Sequence, residues 1–299
     1  MKNNRLGVTD RREKRQEILL LAPFVILFAI FTIIPILSSV VLSFTNFNML
    51  EMPKFVGFEN YIHLFVEDDV FLIAVKNTLI FAIITGPVSY FLALLVAWLI
   101  NELKPFARSC LTLLFYAPSI AGNVYVIWAT IFSNDSYGYA NGILMNLGLI
   151  NGPIKWLTDA KYVLVIVIIV QLWMSMGVGF LSFVAGLQSI DRSLYEAGAV
   201  DGIRNRFQEL VYITLPSMGP QLMFGAVMQI AASFGVGAVS MSLAGFPSTD
   251  YAAHTVLLHI LDYGTLRFQM GYASAIAVVL FAAMLLANSG LKKILGKYQ

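Results

Sequence analysis

The sequence predicts an all-α membrane protein that crosses the bilayer six times, and two observations carry that prediction. Of its 299 residues, 59% are hydrophobic and only 12% are charged, about half the charged share of a soluble domain. Apolar stretches of ~20 residues also recur along the chain, the length an α-helix needs to cross a ~30 Å hydrocarbon layer.

The elements follow in order. A basic tail, residues 1–17, leads into a first span over 18–44. That run is too long for a signal peptide and lacks a small-residue cleavage site, so it is read as retained. Further spans are expected over 72–100, 109–133, 162–188, 217–244 and 271–291, giving one transmembrane domain over 18–291 and a short tail over 292–299. Pro23, Pro35, Pro87 and Pro118 fall in or near spans and are expected to kink them, neighbouring helices satisfying the freed carbonyls.

An even number of spans places both termini on one side. Of the 19 Lys and Arg, all but Lys54, Lys76, Lys155, Lys161 and Arg267 lie in the tails or in loops 101–108 and 189–216. The positive-inside bias puts those segments in the cytoplasm and loops 45–71, 134–161 and 245–270 outside. A single cysteine, Cys110, gives neither a disulfide nor a cysteine-based metal site. A net charge of +2 does not suggest nucleic acid. His63, His254 and His259 are expected as solvated loop residues, with no carboxylate arranged beside the latter two and no metal. The segments outside the spans are too short to fold as an enzyme domain.

Every Asp and Glu falls in a tail, a loop or near a span end. No group near the midplane can bind and release a coupling ion, so uphill transport would need energy from another subunit. The same absence favours a neutral polar solute. The spans offer Asn77, Tyr116, Asn123, Gln171, Trp173, Ser175, Gln229 and Ser233. Such amides, hydroxyls and aromatic faces suit a sugar ring, and they equally serve as bonds between membrane helices. Gln229 and Ser233, four residues apart, share one helical face.

Loop 189–216 is longer than a link between neighbouring spans requires, and it contains "EAGAVDGIRNRFQELVYITLP", residues 196–216. Glu196 to Ala199 read as helix, Gly202 as a stop with freedom at positive φ, and Arg204 to Tyr212 as a second helix that Pro216 ends or redirects. Two short helices set at an angle around a glycine make a knob that can receive force from a partner.

This stretch resembles the EAA motif of the permease subunits of ATP-binding-cassette importers. Glu196, Ala197, Asp201, Gly202, Leu215 and Pro216 match the pattern. Gly198 stands where it has Ala, Ile203 replaces the usual Ala, and Asp201 to Pro216 is one residue longer than usual. "LAPFVILFAIFTIIPILSSVVLSFTNFN", "FVGFENYIHLF", "KNTLIFAI", "YGYANGILMNLGLI" and "FLSFVAGLQSIDRSLYEA" are similar to stretches of the carbohydrate-type permeases.

The resemblance implies a type I importer permease fold in a bacterial or archaeal cytoplasmic membrane. It implies a second homologous permease forming a heterodimer, two ATPase subunits that bind ATP and Mg, and an external solute-binding protein. The cargo would be a sugar or oligosaccharide. This subunit would hold no cofactor and hydrolyse nothing, in keeping with the absence of a G-x-x-x-x-G-K-[ST] loop. Glu196, Ala197, Gly198, Asp201, Gly202, Leu215 and Pro216 would dock on the ATPase. Positions near Ser175, Val178, Gln229, Ser233 and Val236 correspond to the cavity of maltose-type relatives, and Trp173, Tyr116 and Asn123 complete the expected path. On residues alone, a self-contained carrier or facilitator and a membrane sensor or anchor stay open, although neither explains loop 189–216.

Overall fold

The computed structural model describes residues 3–295, with side-chain surroundings for residues 16–293. Lys2 and Lys297 lie outside the described residues, and only the backbone is described for Arg5, Arg11, Arg12, Lys14 and Arg15. Among the described residues, five helices are long and apolar enough to cross a membrane: Gln16–Leu42, Asp69–Asn101, Ala160–Ser189, Gly219–Ala244 and Met270–Lys293. The expected span over 109–133 is instead two helices, Pro105–Ile120 and Tyr125–Ile131, bent by 84°. Counted as one crossing, the pair makes six.

Local chemistry explains that bend. Pro118 cannot donate to the carbonyl four residues back, and the chain turns through Gly122 and Asn123, the latter at φ 58°. Pro87, by contrast, sits inside the unbroken second span, and a π turn, Ala29–Ile33, precedes Pro35 in the first. The fourth and fifth spans are interrupted at Ser175–Gly177 and Gly235–Gly237.

Helix starts are capped by the residues that physics favours. Asp68 accepts from the Phe71 amide at 2.9 Å, Asp191 from Ser193 at 3.0 Å, and Asn205 from Gln208 at 2.9 Å. Pro105 opens its helix at the first turn.

The second span packs against both the fourth and the fifth. Small residues let these backbones approach, as membrane helices without a hydrophobic drive between them require. A β-carbon on Gly179 would stand 3.3 Å from Gly225, and one on Gly225 would overlap the Phe183 ring. The first span is different. It touches the body mainly through Ile34–Leu42 against the last span, and Leu20 and Phe31 are 81% and 75% exposed. A helix that is apolar all round needs lipid or another subunit to cover it.

At the end of the bundle away from loop 189–216, the histidine expectation is corrected. His254 and His259 are buried, and a carboxylate does lie beside them. His259 Nε2 is 2.9 Å from Asp68 Oδ2, which also accepts from the Tyr272 hydroxyl at 2.7 Å. His254 Nε2 is 3.1 Å from His259 Nδ1. The chain of bonds ties the start of the second span, the helix Val256–Leu261 and the start of the last span together. Burial would raise the Asp68 pKa, but bonds from His259, Tyr272 and the Phe71 amide hold it well below the carboxylate range. Burial, with His259 adding to it, pulls His254 down to about 4. His63 alone keeps a half-exposed loop position, paired with Glu67 at 2.8 Å.

Candidate functional site

Two places concentrate the residues singled out by sequence. The first is the knob formed by loop 189–216. Helix Arg192–Val200 ends in paired backbone bonds, Ile203 N to Gly198 O at 2.9 Å and Gly202 N to Ala199 O at 3.4 Å. This is the Schellman arrangement, which places a left-handed residue just past the helix. Gly202 is that residue, at φ 95°, and its flank is open, with nothing within 4 Å of the point where a β-carbon would stand. Asp201 and Gly202 are both exposed.

Gly198 is buried in the elbow. A β-carbon there would stand 2.6 Å from Ile213 Cδ1 and 3.0 Å from Ile203 Cδ1. The two positions that depart from the resembled motif thus meet in one elbow, where the ends of the Ile213 and Ile203 side chains, Ile213 the nearer, occupy the space that a methyl at 198 would need. The second helix starts at Arg206, behind the Asn205 cap, rather than at Arg204. Its turn Leu210–Thr214 is π-helical. Bonds from i to i+5 take up one more residue per turn than α-helical winding, so the segment before Leu215 and Pro216 holds one residue more than an α-helical turn would.

The knob is braced to the body. Arg206 Nη2 is 2.8 Å from Glu102 Oε2, at the end of the second span, and Nη1 is 2.8 Å from Glu209 Oε2. Within the knob, Tyr195 and Thr214 share a hydroxyl bond at 3.0 Å. Between knob and spans lies a polar cleft of about 520 Å³ that includes Glu196, Arg108, Arg192 and Arg206. Arg206 and its role in the brace were not singled out from the sequence. The only signal was its place in the surplus segment.

The second place is a groove of about 460 Å³ between the second, fifth and last spans. Gln229 and Ser233 line it together with Tyr90, Phe91, Pro87 and Phe234. Gln229 is only 8% exposed, and its side-chain amide has no hydrogen-bond partner among the described residues. Ser233 Oγ donates to Ile230 O at 2.9 Å and keeps its acceptor lone pairs.

The other expected path residues do not converge on this groove. Trp173 opens on a separate apolar groove of about 640 Å³ beside the bent third crossing and meets Trp128 edge-on at 5.5 Å. Ser175 sits in the interruption of the fourth span, where its hydroxyl is spent on Leu172 O at 2.6 Å. Tyr116, partly buried, packs against the core cluster that holds Phe180 and Phe183. Asn123 is exposed at the bend and accepts from Tyr125 at 3.0 Å. The interruptions re-aim each segment, so spacing along a straight helix no longer decides which faces meet. Asn77 proves to be glue, donating to Tyr251 O at 3.0 Å and His254 O at 2.9 Å.

With this geometry in place, comparison with known proteins is specific. Residues 78–296 match the family described as binding-protein-dependent transport system inner membrane component. The probable ABC transporter permease protein YesP of Bacillus subtilis (strain 168) is 33% identical over 266 residues, 87% of this chain and 84% of that protein. The lactose transport system permease protein LacF of Rhizobium radiobacter is 34% identical, covering 70% of this chain and 69% of its own. A chain of the bacterial alginate ABC transporter, crystallised in complex with alginate pentasaccharide-bound periplasmic protein, is 26% identical. It superposes with a TM-score of 0.76 over 96% of this chain and 97% of that chain. The chain belongs to the family of inner membrane components of binding-protein-dependent transport systems.

Proposed function

We propose that this chain is one of two permease subunits of an ATP-driven importer for a neutral sugar or oligosaccharide. It forms half of a path that opens alternately to either side of the membrane. The observation that carries the reading is the capped, glycine-hinged knob, Arg192 to Pro216, braced onto the second span by Arg206.

In this reading the knob faces the cytoplasm and docks on an ATPase subunit through Glu196, Ala197, Asp201 and Gly202. ATP and Mg are bound by that partner and not by this chain. Closure of the ATPase pair moves the knobs together, and the Arg206–Glu102 contact carries the displacement into the second span. That span forms one wall of the Gln229 groove. A free amide and a hydroxyl among aromatic faces match the hydroxyls and C–H faces of a sugar. The names of LacF and of the alginate transporter support a saccharide as cargo. An external solute-binding protein delivers it, and the first span is covered by lipid or by the second permease.

The docking claim is tested by cross-linking. A cysteine placed at Asp201 in a Cys110→Ser background should cross-link to the co-purified ATPase, and the yield should change when ATP is added. A cysteine at the half-buried Asn48 on the opposite face should not. Cross-linking only from position 48 would refute the orientation and the docking role together.

A further inference from the structure

The loop after the first span and the corner before the last enclose a cleft of about 480 Å³ that the transport path does not use. It lies at the end of the bundle away from the knob, the external end on the reading proposed above. Asn46, Phe47, Asn48, Asn60, Phe268 and Gln269 line it.

Its hydrogen-bonding groups are spent unevenly. Asn46 and Asn48 commit their side-chain oxygens to backbone amides of Lys54, Leu50 and Glu51, leaving both NH₂ groups as donors. Asn60 does the reverse, donating to Ser43 O at 2.8 Å and Thr45 O at 2.9 Å, which leaves its oxygen as an acceptor. Gln269 has neither end engaged among the described residues. Arg267 contributes no free charge, being paired to Asp262 at 2.7 Å and laid over the Tyr263 ring at 4.3 Å.

The walls are fixed. Gly271 N donates to Phe47 O at 2.9 Å, and a β-carbon on Gly271 would overlap Thr45 O, so the two backbones meet directly. Phe268 is held at φ 57°, a left-handed conformation that strains a residue with a side chain, and it lines the cleft. At the floor, the Tyr272 hydroxyl is bonded to Asp68, within the buried chain that anchors the second span.

We propose that this cleft is an external saccharide-binding site, separate from the Gln229 groove. Amide donors and an acceptor set between two phenyl rings, without net charge, complement a neutral pyranose or furanose better than an ion or a lipid headgroup. The volume is suited to one or two sugar units. The inference rests on the reading of the chain as a saccharide importer subunit.

The test uses the intact importer in nanodiscs, with lactose and arabinotriose as probes and sorbitol as control, read by saturation-transfer NMR and by uptake into proteoliposomes. Asn48→Ala with Gln269→Ala should weaken saccharide binding roughly tenfold and raise the half-saturating concentration for uptake, leaving uptake at saturation unchanged. Gln229→Leu should keep the cleft signal. If the intact importer takes up no saccharide of any kind, the functional reading fails. If uptake persists and the double variant binds and transports as the wild type does, the cleft inference fails. Protection of the cleft by the solute-binding protein with no saccharide signal would overturn it as well, in favour of a docking surface.

Discussion

Restoring alanine at Gly198 should destabilise the protein as it stands and stabilise it once Ile203 is also alanine. In a helix, Gly→Ala is worth about 0.5–1 kcal/mol in favour of Ala. At 198 the new methyl would stand 2.6 Å from Ile213 Cδ1 and 3.0 Å from Ile203 Cδ1, well inside ordinary contact, and overpacking of this kind costs about 1–3 kcal/mol. The net effect of Gly198→Ala alone is a loss of up to roughly 2 kcal/mol. In the Ile203→Ala background Ile213 can swing into the vacated space, the clash goes and the propensity gain remains. The coupling energy of the cycle is then about 1–3 kcal/mol. Thermal unfolding of the purified complex reads this as a change of sign, a melting temperature lowered by a few degrees in one background and raised in the other. Equal shifts in both backgrounds would refute the coupling of the two positions.

Three further outcomes follow from the same geometry. Gln229→Leu replaces an amide that has no partner among the described residues with an apolar side chain in an open, largely apolar groove, so stability should hold or rise while saccharide uptake falls roughly tenfold; parallel losses of stability and uptake would make Gln229 structural. Gly225→Val drives a side chain into Phe183 and the Gly179 contact and should cost about 3 kcal/mol or more, read as lost yield of folded complex, whereas Gly290→Ala, inside the last helix with nothing within 4 Å, should stabilise by about 0.5–1 kcal/mol. Acid should loosen the end of the bundle that holds His254. Its folded pKa of about 4 lies below the ordinary 6.5, so the unfolded chain binds more protons between those values. Stability is whole above the window and falls as pH drops through it, with Asp68 adding to the loss at lower pH. Hydrogen-exchange protection factors over residues 245–260, taken relative to the intrinsic rate at each pH, should fall on acidification, and His254→Gln should flatten that dependence.

How much of this was legible in the sequence depends on whether the governing contact is local. The long spans were readable because ~20 consecutive apolar residues have one physical solution in a bilayer. The knob was readable for a similar reason: Gly202 alone tolerates the φ that ends helix Arg192–Val200. The 84° bend had its signals in Pro118, Gly122 and Asn123, but a proline kink and a full break share those signals until neighbours are placed. The Asp68–His259 bond joins residues 191 apart, and no periodicity announces such a pair. The scattered polar residues divided for the same reason. Gln229 and Ser233 stay together on one uninterrupted helical face, while Ser175 and Trp173 were carried elsewhere by the interruption of the fourth span. That Leu210–Thr214 would wind as a π turn had no signal in the sequence.

The central claim is that loop 189–216 delivers the energy of ATP hydrolysis to the membrane path. It is tested most directly by ATP-dependent uptake of labelled saccharide into proteoliposomes holding the importer with Gly202→Val. Nothing lies within 4 Å to clash with the new side chain, so the substitution acts through backbone strain at φ 95°. The account predicts that the complex assembles and hydrolyses ATP while uptake falls to background. Uptake at the wild-type rate would contradict it.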